Sequence, residues 1–370
     1  RMSVSQQELD ELRSAIRKFL QARLPDSELC QLADGHDTSS DLWSEMNAAL
    51  GIHSLAIPDR FGGDGAGLTV MSVVFEELGR VVAPAPYFSS FVATQALLLS
   101  GDDGQCERHL PRFAEGTSRA TIAVAERDGS WDAALISARA KCGADGSWRI
   151  SGVKNWVPDA AGADVILVLG RTTAGPTLFS VDPTADGVSL EPMRVLDETR
   201  PMATLNMHDA SAELVGREGA GGLVLSRLLD LTVLALCAEQ VGLAERCLEI
   251  SVEYAKVRTQ FGRPIGSFQA VKHLCAEMLA QVELARAATD DAVRDAQEGH
   301  AGAAVAAAAA HLTCCAAAMY VAKETIQVLG GIGFTWDHPA HVYFRRAAAS
   351  QLLLGGPAVS HERLLERMGI

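Results

Sequence analysis

From Gly221 onward the chain reads as three successive helical segments, roughly 221–256, 266–298 and 301–329, each longer than twenty-five residues. Shorter ones follow at 338–350 and 358–368. Helices of that length need one another's apolar faces along their whole span, the condition met by a four-helix bundle rather than a compact mixed domain. Between Ala301 and Ala322 no residue carries a formal charge, so this stretch is long enough to span a bilayer. It is mostly alanine, with Gly302 and His311 inside it, and alanine is only weakly apolar. A closely packed helix within a bundle fits it better than a membrane span.

Two other regimes precede that bundle. Ser5-Gln6-Gln7-Glu8 has the form of a capping box, and Leu9, Leu12, Ile16 and Leu20 follow at helical spacing until Pro25. Further helical segments are expected at about 40–50, 68–82, 91–99 and 104–116, broken by Pro58, Gly62-Gly63, Pro84 and Pro86. Short β-rich runs then occupy 121–125, 133–140, 148–157, 163–172, 177–182, 188–193 and 204–216, separated by turn residues. Spacing this close leaves no room for crossover helices, so a mostly antiparallel barrel or sandwich is expected. The fold class is α+β: an N-terminal helical domain over 1–118, a central β domain over 119–218 and a C-terminal bundle over 219–370.

Charge and cysteine usage narrow the function classes. A formal charge of −14 argues against nucleic acid or an anionic membrane as the main partner, although local basic clusters can hold a small phosphorylated ligand. The eight cysteines (Cys30, Cys106, Cys142, Cys237, Cys247, Cys275, Cys314 and Cys315) show neither CxxC nor zinc-ligand spacing. Buried reduced thiols in a cytoplasmic protein are the expectation. No signal-peptide pattern precedes the first helix, and Arg1 ahead of Met2 reads as an addition before the natural start. The glycine-rich "FGGDGAG" (61–67) does not follow a buried strand and is no dinucleotide fingerprint. Ser360 and His361 are adjacent, so a helix points their side chains apart.

Two C-terminal segments carry the chemistry. In "VRTQFGRPIGSFQAVKHLCAEM" (257–278), Arg258 closes one long helix and Phe261-Gly262-Arg263-Pro264 makes a turn. Ser267 is placed to cap the next helix, with Gln269 in its first turn. An arginine and a glutamine beside the free amides of a helix start suit a phosphate ester; a corner of solvated polar residues uses the same spacing. In "QVLGGIGFTWDHPAHVYFRR" (327–346), Gly330, Gly331 and Gly333 end the alanine-rich helix. They admit a ligand or another backbone closely, or serve as a plain C-cap and turn.

Together, in this order, these segments resemble the acyl-CoA dehydrogenase family. Its R-x-x-F-G…Q signature reads here as Arg258, Phe261, Gly262 and Gln269, and its Q-x-x-G-G-x-G signature as Gln327, Gly330, Gly331 and Gly333. "IPDRFGGDGAGLTVMSVVFEELGR" (57–80) and "GVKNWVPDAAGADVILVLGRT" (152–172) are similar to its N-terminal and central motifs. The resemblance covers nearly the whole chain. It implies a flavoenzyme that introduces an α,β-double bond into an acyl-CoA thioester: a carboxylate removes the α-proton and the β-hydrogen leaves as hydride to FAD. In the family each FAD is shared, one subunit's β domain holding the isoalloxazine and the neighbour's bundle gripping the pyrophosphate and adenosine. Arg258, Phe261, Gln269, Gln327, Gly330 and Gly331 fall in that neighbour-gripping set. An electron-transfer flavoprotein is the implied electron acceptor.

The same comparison shows what is missing. The usual base, a glutamate in an (I/Y)-x-E-G-T tail, falls on Leu354 of "RRAAASQLLLGGPAVS", with Gly356 and Pro357 replacing residues that normally touch flavin. The alternative base position, on the first bundle helix, falls on Thr232. The T-E-P-x-A-G-S-D pattern appears as Ala125-Glu126-Arg127-Asp128-Gly129-Ser130-Trp131-Asp132, and W-(I/V)-(S/T) as Trp156-Val157-Pro158; both lose a flavin-bonding hydroxyl, and Pro158 loses an N–H as well. The departures all fall in the chain's own flavin and base pocket, while the neighbour-gripping half is intact. That asymmetry resembles the base-lacking subunit of hetero-oligomeric, steroid-type acyl-CoA dehydrogenases of actinobacteria, in which unlike subunits share FAD and a homologous partner carries the glutamate. Two rival readings stand beside it. One is a self-sufficient homo-oligomer using Asp230 or Glu239 as base; the other is a non-enzymatic structural or regulatory protein of the same fold.

Overall fold

The computed structural model describes residues 4–32 and 39–370. Arg1 and Met2 lie outside them. Helix α1 (Gln6–Arg23) opens on the capping box: the Ser5 hydroxyl accepts from the Glu8 N–H, and the Glu8 carboxylate accepts from the Ser5 N–H at 2.7 Å. It buries Leu9, Ile16 and Leu20. A short α2 (Asp26–Leu32), not anticipated from the sequence, follows Pro25. Next come α3 (Ser39–Leu50), α4 (Leu68–Arg80), α5 (Tyr87–Ser100) and α6 (Asp103–Ala114). Helix α5 begins at Tyr87 rather than 91 because Pro86 takes the N-cap position, where no N–H is needed and its carbonyl accepts from Ser90 at 3.0 Å.

The strands are β1 (Ala120–Ala123), β2 (Arg139–Cys142), β3 (Trp148–Pro158), β4 (Val165–Thr172), β5 (Gly175–Val181), β6 (Val188–Pro192) and β7 (Met202–Val215). Pairing runs β4–β5–β7–β3–β2, and β2 returns to β4 through Arg139 opposite Arg171, which closes a ring. Strand β1 extends from β4, and β6 pairs with β7. All pairs are antiparallel except β1–β4 and β2–β4. Ile150, Val157, Ile166, Val168, Phe179, Leu205 and Met207 fill the interior. The expected strand at 133–140 is corrected. Ala133–Leu135 forms a 3-10 turn because the Asp132 carboxylate accepts from the Ala134 N–H at 2.8 Å, and pairing starts only at Arg139.

The bundle consists of α7 (Gly221–Val257), α8 (Gln269–Glu298), α9 (Ala303–Leu329), α10 (Ala340–Leu352) and α11 (Gly356–Met368). Helix α11 starts at Gly356, not 358, because Pro357 sits in its first turn, where proline is favoured. The α7 helix and the run Ala303–Phe334 are long and apolar enough to cross a membrane, but 67% and 50% of their most apolar windows are buried within the protein. Helix α9 packs through small side chains, with Ala307, Ala310, Ala317 and Ala318 buried. Five cysteines are buried, Cys30 and Cys275 are half-buried, and Cys142 is exposed.

Helix α4 seats the N-terminal helices on the bundle at a glycine crossing. A Cβ on Gly79 would lie 2.0 Å from the Glu239 carbonyl oxygen, and one on Gly242 would lie 1.9 Å from that of Glu76. Only glycine permits this approach. Around it the buried Glu76 and Glu77 take charge-assisted bonds from Arg13, Arg17 and Arg286.

Candidate functional site

The two C-terminal signatures meet at one end of the bundle. The Ser251 hydroxyl on α7 donates to Thr325 Oγ1 on α9 at 3.1 Å, so the C-terminal halves of these helices lie side by side. Helix α8 runs back from the same end. Helix α7 stops at Arg258, whose N–H reaches the Tyr254 carbonyl at 2.8 Å. A minimal hairpin follows, β8 (Thr259–Gln260) with β9 (Arg263–Pro264). Phe261 and Gly262 make its turn with φ of 53° and 77°, the two positive values of a type I′ turn. A bulky residue in that region is strained, and the Phe261 ring stands 91% exposed.

The expected Ser267 cap is corrected. Its hydroxyl donates to the Pro264 carbonyl at 2.7 Å, Phe268 takes the N-cap position, and the first amides of α8 have no side-chain cap. Gln269 is exposed, its Nε2 2.6 Å from His273 Nε2. Arg258 and Gln327 are exposed, and their side chains have no partner among the described residues. Gly330 ends α9 with φ 64°, and a Cβ on Gly330 or Gly331 would meet nothing. An uncapped helix start, an unpaired guanidinium, two exposed amides and two open glycines fit the pyrophosphate half of a dinucleotide.

The chain's own base pocket is built differently. Leu354 is 2% exposed and sits at φ 65° in the break between α10 and α11. Thr232 is buried, its hydroxyl donating back to the Leu228 carbonyl at 2.8 Å within α7. Asp230 is held by Arg367 at 2.9 and 3.0 Å, with burial pushing its carboxyl up and Arg367 opposing. Glu239 is bound by Arg200 at 2.6 Å and Arg346 at 3.1 Å. Both candidate carboxylates are therefore committed to guanidinium partners.

The Arg200–Glu239–Arg346 cluster was not singled out from the sequence. Arg346 also donates through Nε to Asp197 at 2.5 Å and through Nη2 to Thr199 at 2.6 Å, while Arg200 lies over the Phe88 ring at 4.7 Å. It joins the β6–β7 loop to α5, α7 and α10. Burial pushes the Asp197 carboxyl up, but Arg346, Thr199 and Arg200 outweigh this and hold it below its ordinary value. The one available signal was an arginine on the otherwise apolar Val342-Tyr343-Ala347 face of α10.

On the β domain, Ala125 is buried, with its carbonyl accepting from the Asn155 N–H at 2.9 Å. Glu126 accepts from the Ser137 and Ala138 amides and from Lys154 Nζ at 2.9 Å. Trp156 adopts φ 52°, and its indole lies over Gly129, where an added Cβ would be 3.6 Å from the ring. Pro158 has no N–H to offer. This side does not fit the isoalloxazine edge: of the two expected hydroxyls neither is present.

Comparison with known proteins agrees with this architecture. The family models described as acyl-CoA dehydrogenase N-terminal, middle and C-terminal domains match residues 6–117, 121–209 and 219–369. Among curated proteins of Mycobacterium tuberculosis, acyl-CoA dehydrogenase FadE34 is 36% identical over 86% of this chain, which spans 41% of that protein's length. Acyl-CoA dehydrogenase IpdE2 is 34% identical over 89% of this chain and 86% of its own. A solved structure described as a variant of the Tcur3481-Tcur3483 steroid ACAD superposes with a TM-score of 0.87 at 33% identity, covering 98% of both chains. This chain belongs to the acyl-CoA dehydrogenase family.

Proposed function

We propose that this chain is the base-lacking subunit of an FAD-dependent acyl-CoA dehydrogenase, active as part of a hetero-oligomer. It completes the FAD site of a homologous partner that carries the catalytic glutamate. The observation that carries this reading is the contrast between an open, unpartnered grip and a base pocket in which Leu354, Thr232 and ion-paired carboxylates leave no free base. Arg258 would donate to the pyrophosphate, Gln269 and Gln327 would hydrogen-bond it or the adenosine, and Gly330 and Gly331 would let the backbone approach. Phe261 would press its exposed ring into the partner.

When bound, the flavin supplies the hydride-accepting chemistry of α,β-desaturation. This chain's residues bind and orient it, and the proton is taken by the partner. The substrate class is an acyl-CoA thioester, with a steroid side chain suggested by the relatives' descriptions. An electron-transfer flavoprotein is the proposed acceptor and the cytoplasm the proposed location, with no nucleic-acid or membrane partner. A self-sufficient enzyme is disfavoured by the guanidinium pairs on Asp230 and Glu239.

The test is FAD per chain, with native mass, for the protein alone and co-expressed with the neighbouring gene of the same family. Little flavin alone and one FAD per unlike pair is the expected result. One FAD per chain in the isolated protein, with turnover of acyl-CoA, would sink it. A flavin-free complex would favour a structural role instead.

A further inference from the structure

Helix α8 leaves the exposed corner with its start fixed. Phe268, at the N-cap position, has the Phe261 ring edge-on at 6.1 Å and the Arg263 guanidinium over its face at 4.2 Å. Gln269 follows, and its Nε2 lies 2.6 Å from Nε2 of His273, one turn further along the same helix. Both side chains are exposed, and neither has another partner among the described residues. An amide nitrogen only donates, so the ring nitrogen facing it carries no proton and the imidazole N–H sits at Nδ1. One N–H of Gln269 is thereby spent on His273. Its Oε1 and second N–H remain, an acceptor and a donor on one planar group.

A pyrophosphate offers acceptors alone and would leave Oε1 unused. The edge of adenine offers an amine donor beside a ring-nitrogen acceptor and uses both halves of the amide. In the half-site function Arg258 and the uncapped amides of α8 serve the pyrophosphate, which leaves Gln269 for the base. We propose that His273 is a positioning residue: it holds the Gln269 amide ready to read the adenine of the shared FAD, so that this chain sets the preference for an adenine dinucleotide. The proposal rests on the half-site function. Its physical content is preorganisation, since a glutamine tethered to the next turn has already lost rotamer freedom that a free one gives up on binding.

The experiment strips the complex with its partner of flavin and titrates back FAD or its analogue with hypoxanthine in place of adenine, which exchanges the amine for a carbonyl. The parent should prefer FAD about tenfold or more, the worth of one two-point base contact. Gln269→Ala should abolish that preference. His273→Leu should weaken FAD about three- to tenfold, the ordering cost of one side chain, and the analogue less. His273→Asn, which still accepts from a glutamine one turn away, should restore FAD binding. In the Gln269→Ala background His273→Leu should have no further effect. Both side chains are exposed, so these variants keep the fold, and urea midpoints verify it. In the chain alone, nitrogen-15 spectra of the His273 ring should place its proton on Nδ1. Equal loss of both dinucleotides in His273→Leu, an additive loss in the double variant or a proton on Nε2 would overturn the proposal while leaving the half-site function standing. A complex that takes up no flavin would remove both.

Discussion

Two arginines of the bundle do opposite things with the same side chain. Arg346 is buried among Asp197, Thr199 and Glu239, and every direction of its fork is used. Arg258 stands in solvent at the end of α7, with its guanidinium free among the described residues. The first arrangement neutralises charge inside the protein and ties the β6–β7 loop, α7 and α10 together. The second is what the proposed function asks of a surface that a partner completes. A family member selected only for its fold would have no reason to hold Arg258, Phe261 and Gln269 exposed around an uncapped helix start.

The largest effect should come from breaking the buried side. Arg346→Ala leaves Asp197 and Glu239 without a full partner in the core, and loss of one member of such a network costs roughly 3–5 kcal/mol. Urea denaturation should show a large fall in midpoint, whereas Arg258→Ala should change stability by no more than about 0.5 kcal/mol. The flavin readout should invert that order. In the complex with its partner, Arg258→Ala should weaken FAD retention about ten- to hundredfold, the worth of one charge-assisted phosphate contact of roughly 1.5–3 kcal/mol. Equal stability losses in the two variants would erase the contrast.

A smaller effect sharpens the question of the base. Asp230→Asn removes a carboxylate held by Arg367 but leaves the fold's main core alone. Turnover of acyl-CoA by the assembled complex should stay within about twofold of the parent, since the proposed function assigns the proton to the partner's glutamate. A loss of several orders of magnitude would make Asp230 the base and return the chain to a self-sufficient reading.

How much of this was legible in the sequence depends on whether the cause was local. The capping box at Ser5, the turn at Phe261-Gly262 and the glycine end of α9 follow from residues adjacent in the chain, and all could be located in advance. The long bundle helices were equally plain from their apolar periodicity. Ser267 misled because a hydroxyl just before a helix suits either a cap or a bond back to Pro264, and only the fold decides. The Arg346 cluster was hidden for a different reason. Its members come from residues 197–200, 239 and 346, brought together by the packing of three regions. No spacing along the chain announces them.

The finest distinction lies in the loop after β1, where Glu126 and Lys154 hold one another. Burial raises the Glu126 carboxyl, but Lys154, Ser137 and the Ala138 amide outweigh it and bring the pKa down to about 2. A carboxylate depressed in the folded state stabilises that state above its ordinary 4.5, and the contribution is lost as pH falls from there toward 2. Lys154 is opposite in sign. Burial lowers it to about 8 against the Glu126 pair, so between pH 8 and 10.5 the unfolded chain holds a proton the folded one has released, and its contribution rises with pH. Melting temperature against pH should therefore show an acid limb below 4.5 that is shallower in Glu126→Gln. On the proposed function the flavin content of the complex should be unmoved at neutral pH by that variant, because that reading assigns the loop to the half of the site this chain does not use. Flavin loss in Glu126→Gln would mean that the loop still serves a cofactor, and the division between an open half and a closed half would have to be redrawn.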